Sequence, residues 1–234
     1  MTDTTFPVTG GTLPAYLAVP TTPGPWPGVV VVHEAMGLTD DIRRQADRFA
    51  GRGYLAIAPD LYAWGLRARC LVATFRTLAS GRGRALDDLQ HARRHLADRD
   101  DCTGRVGVVG FCLGGGLAML VSSEGFDVAA PNYGHPPRDI DRVMADSCPV
   151  VASYGGSDWM LPRAAAKLDE ALSRLGVDHD VKEYPGVKHG FLFPHTGFWS
   201  VAEPLMVKYD AAAADDAWHR IFDFFDDRLR GTTP

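Results

Sequence analysis

The chain has 234 residues, 46% hydrophobic and 23% charged, with a formal net charge of −5. That length can bury one large core, so a single domain over residues 1–234 is expected, as a monomer or a small homo-oligomer. The acidic balance gives no ground for expecting nucleic acid or an anionic membrane as partner, and no apolar run is long enough to span a bilayer.

The N-terminus, MTDTTFPVTGG, lacks a basic region followed by an apolar stretch, so a cytoplasmic location is expected. The four cysteines (Cys70, Cys102, Cys112 and Cys148) form no C-x-x-C pair and no zinc spacing. Reduced thiols follow for a cytosolic chain.

The chain then alternates between strand and helix patterns. Residues 11–19, preceded by the Gly10-Gly11 turn, read as an added antiparallel edge strand. Residues 27–33 are β-rich, and residues 40–52 carry Ile42, Ala46, Phe49 and Ala50 at helical spacing. A short apolar strand at 54–58 closes at Pro59-Asp60. Residues 84–97 repeat Ala85, Leu89, Ala92 and Leu96 on one helical face, before a strand at 105–109 and a small-residue helix at 114–121. Apolar strands at 128–130 and 150–154 flank a helix at 139–145. A helix at 162–175 starts with Pro162 in its first turn, and residues 181–184 form a last strand. Ala214, Trp218, Ile221, Phe222, Phe225 and Leu229 share one face of a C-terminal helix. Strands without polar alternation, separated by amphipathic helices, describe an α/β protein with a mostly parallel sheet covered on both faces. Chemistry in such folds collects at the carboxyl ends of the strands.

Gly110-Phe111-Cys112-Leu113-Gly114 places a nucleophile between glycines at a strand-to-helix junction. The sharp bend demands small flanking residues, and the helix start sets N–H groups and a positive dipole end beside the sulfur. A buried structural cysteine in a glycine-rich turn is the alternative. The glycine run is no nucleotide loop, since neither G-K-[ST] nor G-x-G-x-x-G is present. Downstream, Gly155-Gly156-Ser157-Asp158 sets a carboxylate just past a strand, and Lys188-His189-Gly190 sets a histidine after the final strand. Each alone could be an ordinary loop residue. Together, Cys112, Asp158 and His189 stand in the nucleophile–acid–histidine order of α/β-hydrolases.

These motifs, with H-E-A-M-G-L at 33–38, P-D-L-Y-A at 59–63 and Y-P-G-V-K-H-G-F at 184–191, resemble the dienelactone hydrolase family over residues 7 to 229. The resemblance implies an α/β-hydrolase fold, with helices on both faces of the sheet. It implies Cys112 as nucleophile, His189 as base, Asp158 as its orienting partner, and an oxyanion hole from the backbone N–H groups of Leu113 and Ala35. It also implies Glu34 as the acidic group beside the resting thiol, where like charge would hold Cys112 neutral. The two arginines with which the family grips an anionic lactone correspond here to Trp64 and Phe193. Substrates less anionic than dienelactone are therefore expected, unless Arg67 or Arg69 takes over the grip. Tyr62, Trp64, Tyr133, Phe191 and Phe193 are candidates for an apolar substrate pocket, with core packing as the alternative for each.

No metal or cofactor is expected. His33-Glu34 lacks the second histidine of H-E-x-x-H, and His91 and His95 beside Arg93 and Arg94 read as a solvated helix face. The leading function is hydrolysis of a carboxylic ester or lactone, a small-molecule substrate, through a thioester on Cys112. A glutamine amidotransferase is disfavoured because Phe191 stands where its glutamate would be. The remaining alternative is a non-catalytic binding or redox-sensing module built around Cys112.

Overall fold

A computed structural model describes residues 2–194, 196 and 207–231 of the chain. The elements run β1 (Thr2–Val8), β2 (Gly11–Ala18), β3 (Trp26–Val32), α1 (Asp40–Gly51), β4 (Leu55–Pro59), α2 (Arg67–Ser80), α3 (Arg84–Ala97) and β5 (Cys102–Phe111). They continue with α4 (Leu113–Val121), β6 (Val128–Asn132), α5 (Ile140–Met144), β7 (Val150–Gly155), α6 (Ala164–Leu175), β8 (His179–Tyr184) and α7 (Ala211–Leu229).

The strands form one sheet in the order β1-β2-β4-β3-β5-β6-β7-β8. From β4 to β8 every pairing is parallel, and β2 runs antiparallel to both neighbours. β4, β6 and β7 are buried at every residue, as strands covered on both faces must be. On one face lie α1 and α7, joined by Phe49 against Trp218, Phe222 and Phe225. The other face carries α3, α4 and α6, with α2 packed on α3 and α4. One continuous apolar cluster links the layers.

Three expectations need correction. Residues 11–19 are not the sheet edge: β1 pairs outside β2 through a hairpin at Gly10-Gly11. The polar Thr2, Asp3, Thr4 and Thr5 hide this strand in the sequence, although Phe6 and Val8 point inward. Helix α2 is not among the expected elements: its fully buried residues are Thr74 and Thr77, and apolar residues lie on both its core side (Cys70, Leu71, Leu78) and its solvent side (Val72, Phe75). His95 is no solvated residue: it is half-buried and stacks on Phe6 at 5.3 Å.

Candidate active site

The chemistry-bearing side chains follow six neighbouring strands at their carboxyl ends: Tyr62 after β4, Glu34 after β3, Cys112 after β5, Tyr133 after β6, Asp158 after β7 and His189 after β8. The parallel register keeps those ends level, pairing Val32 with Gly110, Phe111 with Asn132, and Gly155 with Tyr184. Residues far apart in sequence are thereby delivered to one rim.

Cys112 sits at φ 55° and ψ −114°, a conformation that L residues with a side chain adopt at a cost of roughly 1–3 kcal/mol. Its N–H donates to the Asn132 carbonyl at 3.1 Å, and its own carbonyl accepts from Gly115 and Gly116. The flanking glycines are required by close approach. A Cβ on Gly110 would overlap the carbonyl of Gly114, and one on Gly114 would overlap the carbonyl of Val32. Leu113 is the first residue of α4, so its N–H has no acceptor within the helix and lies beside the nucleophile. Ala35 lies in the turn closed by Gly37 N–H to the Glu34 carbonyl at 3.0 Å. Two other half-buried thiols are poorer candidates, since partial burial raises Cys102 and pushes Cys148 up to about 12.

Asp158 is held beside His189 by backbone bonds between their loops. Gly156 N–H donates to the Tyr184 carbonyl and Ser157 N–H to the Val187 carbonyl, both at 2.8 Å. One carboxylate oxygen of Asp158 accepts from Met160 N–H at 3.0 Å, and the other meets His189 Nδ1 at 2.5 Å. The aspartate side chain is 1% exposed and that of histidine 7%. With Nδ1 committed, Nε2 is left on the Cys112 side, coupled to the sulfur without a well-aligned hydrogen bond to it. Burial alone pushes this imidazole down. Cys112 and Asp158 together outweigh it, and the group is raised above its ordinary 6.5.

Glu34 is 7% exposed and close enough to Tyr133 to raise the phenol, after burial, together with Cys112. Tyr133 is fully buried at φ 37°, its ring edge-on to His189 at 5.0 Å. Tyr62 is raised by burial and, in part, by Cys112, while Arg67 pulls it down. The hydroxyls of Tyr62 and Tyr133 are buried and have no hydrogen-bond partner among the described residues. Each such donor costs about 1–3 kcal/mol until it finds an acceptor.

Two of the pocket candidates point elsewhere. The Trp64 indole donates to Asp88 at 2.8 Å under the Arg84 guanidinium, so it packs on α3. Phe193 is 2% exposed and edge-on to Phe111 at 5.2 Å, within the core. Phe191, fully buried against Tyr133 and Tyr184, supports Tyr133 from behind. Arg67 is exposed and close to both Tyr62 and His33, whereas Arg69 is exposed further along α2.

His33 has a role that its H-E dipeptide does not announce. Its Nε2 accepts from Leu61 N–H at 3.2 Å, and its Nδ1 lies 2.8 Å from the Glu34 carbonyl, to which it donates as the neutral ring. Burial lowers its pKa, which favours this neutral form. It ties the Glu34–Ala35 loop to the Tyr62 loop.

The sequence profile described as the dienelactone hydrolase family matches residues 13–229. A Yersinia pestis protein provisionally named a carboxymethylenebutenolidase is 31% identical, over 95% of this chain and 86% of its own length. Among solved structures, a Klebsiella pneumoniae protein provisionally described as a dienelactone hydrolase superposes with a TM-score of 0.79. It is 26% identical and covers 96% of this chain and 97% of its own. A dienelactone hydrolase-like promiscuous phosphotriesterase from metagenomic libraries reaches a TM-score of 0.83, at 24% identity over 97% and 98% of the chains. That last likeness speaks to the fold alone, an α/β-hydrolase.

Proposed function

The chain belongs to the dienelactone hydrolase family, and on that premise we propose that it cleaves a carboxylic ester or lactone through a thioester on Cys112. One observation carries this reading: a cysteine at a strained strand-to-helix turn faces an imidazole whose other nitrogen is held at 2.5 Å by a buried aspartate.

In this mechanism His189 Nε2 takes the Cys112 proton as the sulfur attacks the carbonyl carbon. The oxyanion is received by the N–H groups of Leu113 and Ala35. Collapse breaks the ester bond, and the imidazolium returns the proton to the leaving alkoxide. Water then gives a proton to His189 and its hydroxide to the thioester carbonyl. The released sulfur recovers that proton, and the acid product departs. Glu34 disfavours the thiolate by like charge until substrate arrives. The hydroxyls of Tyr62 and Tyr133 supply two further donors to substrate oxygens.

We place the substrate among neutral, moderately apolar esters or lactones. Trp64 and Phe193 provide no cation, and Tyr62 and Tyr133 beside Cys112 carry no positive charge. Arg67 at the rim is the cation that would reverse this preference.

The test is a panel of neutral and carboxylate-bearing esters and lactones, with Cys112→Ala as control and mass spectrometry of the quenched enzyme. Acylation of Cys112 with faster turnover of the neutral set is expected. Undiminished turnover by Cys112→Ala would remove the thioester mechanism.

A further inference from the structure

Helix α2 turns Thr74 and Thr77, with the partly buried Cys70, Leu71 and Leu78, toward the core, yet leaves large apolar side chains in solvent on its other side. Its buried residues are Thr74 and Thr77, whereas Leu66 at its N-cap, Val72 and Phe75 are 67%, 48% and 53% exposed. At 100° per residue, Ala68, Val72, Phe75 and Ala79 share an arc of about 60° opposite those threonines. All four are exposed, and Arg69 and Arg76 border the arc. Between residues 65 and 83 the charged residues are Arg67, Arg69, Arg76 and Arg82, with no carboxylate, in a chain whose net charge is −5. None of these four forms an ion pair among the described residues.

We propose that α2 docks the enzyme on an anionic lipid surface, from which apolar ester substrates enter the site; the substrate clause rests on the function proposed above. Solvated apolar side chains on a helix whose only charged residues are arginines, two of them along one edge of the apolar arc, have the composition of an interfacial helix. A second copy in isologous contact would bring the arginines along one α2 against those along the other, which like charge opposes. No helix among the described residues is long and apolar enough to cross a membrane, so the association is peripheral.

Two features connect this face to the catalytic rim. The Cys70 thiol donates to the Tyr62 carbonyl at 3.4 Å, and Arg67 in the first turn faces Tyr62. A cleft of about 240 Å³, lined by Phe75, Leu78, Leu120 and Pro136 with Arg138 among its walls, opens beside α2. It offers room for part of an acyl chain while the cation meets a headgroup.

The experiment is flotation of the 234-residue protein with phosphatidylcholine vesicles, and with vesicles that also contain phosphatidylglycerol. Partition into the anionic vesicles alone, weakened by salt, is expected. Each arginine near such a surface is worth about fivefold in partition. Arg69→Glu with Arg76→Glu should therefore lower it by about 25-fold or more, and Val72→Ser with Phe75→Ser by at least about tenfold. Circular dichroism and hydrolysis of a water-soluble ester should match wild type in both pairs. Absence of partition, equal partition into both vesicle types, or partition untouched by both pairs would overturn the proposal. So would a dimer in solution that Val72→Ser with Phe75→Ser dissolves, which would assign the face to a second copy. Flotation needs no turnover, so a protein that cleaves soluble esters but ignores vesicles loses this inference alone.

Discussion

Asp158 accepts from two donors at once: Met160 N–H takes one carboxylate oxygen at 3.0 Å, and His189 Nδ1 lies 2.5 Å from the other. The imidazole is therefore fixed in tautomer as well as in position. A carboxylate held only by the histidine could rotate; this one is pinned by its own Asx turn.

Replacing Asp158 by Asn should preserve the fold and cost about 10⁴-fold in kcat, because the amide can offer Nδ1 a donor where an acceptor is needed. Cys112→Ala and His189→Ala should leave only background turnover. Cys112→Ser should acylate slowly yet measurably, since the hydroxyl is shorter and a poorer nucleophile at neutral pH. Burst and steady-state rates on one activated ester separate these outcomes. A serine variant as fast as wild type would leave the sulfur without a catalytic reason.

Glu34 offers a test that does not depend on turnover. It lies buried in the loop after β3, coupled to Tyr133, which in turn feels Cys112. Removing its charge as Glu34→Gln should favour the thiolate, so iodoacetamide should label Cys112 several-fold faster near neutral pH. Peptide mapping would follow that residue alone. Unchanged or slower labelling would mean that Glu34 does not restrain the thiol.

The imidazole of His189 is pushed down by burial and raised by Asp158 and by Cys112 when that sulfur is a thiolate, and in that ion pair it binds its proton more tightly than the ordinary 6.5 allows. The sign follows from linkage. The stabilisation is complete below pH 6.5, where the unfolded chain is also protonated, and it fades as pH rises through the raised folded value. Urea midpoints should fall from mildly acidic to alkaline pH, and His189→Gln should flatten part of that slope. A midpoint equally steep in His189→Gln would assign the loss to other groups.

Phe193 is the position where the family's second arginine would stand, and its packing against Phe111 decides what a swap there can do. Phe193→Arg should destabilise the fold by about 3–5 kcal/mol, the cost of an unpaired charge in the core. Arg67→Gln should leave the fold unchanged. If Arg67 grips carboxylates, that variant should lose about tenfold to 150-fold in kcat/KM on anionic substrates only, the size of a charge-assisted hydrogen bond. Equal losses on neutral and anionic substrates would exclude such a grip.

The sequence by itself determined the local machinery. Gly110 and Gly114 around Cys112 specify a sharp strand-to-helix turn because a Cβ at either meets backbone, and Asp158 follows a strand that an apolar run makes recognisable, whereas the strand before His189 is the mixed, partly buried HDVKEY. The alternation of buried strands and amphipathic helices likewise announced a mostly parallel sheet. Tertiary structure decided whatever depends on distant partners. Trp64 turns to α3 because Asp88 and Arg84 wait there, and Phe193 turns inward because Phe111 offers its ring. His33 becomes a strut only when Leu61 comes within reach, and β1 becomes a strand only when β2 supplies its hydrogen bonds. Helix α2 escaped notice because its apolar residues lie on both sides: Cys70, Leu71 and Leu78 pack on the core while Val72 and Phe75 face solvent, so no single apolar stripe marks it. A pattern of residue types records the propensity of each segment; which side of a segment meets the rest of the protein is settled by contacts that close across the whole chain.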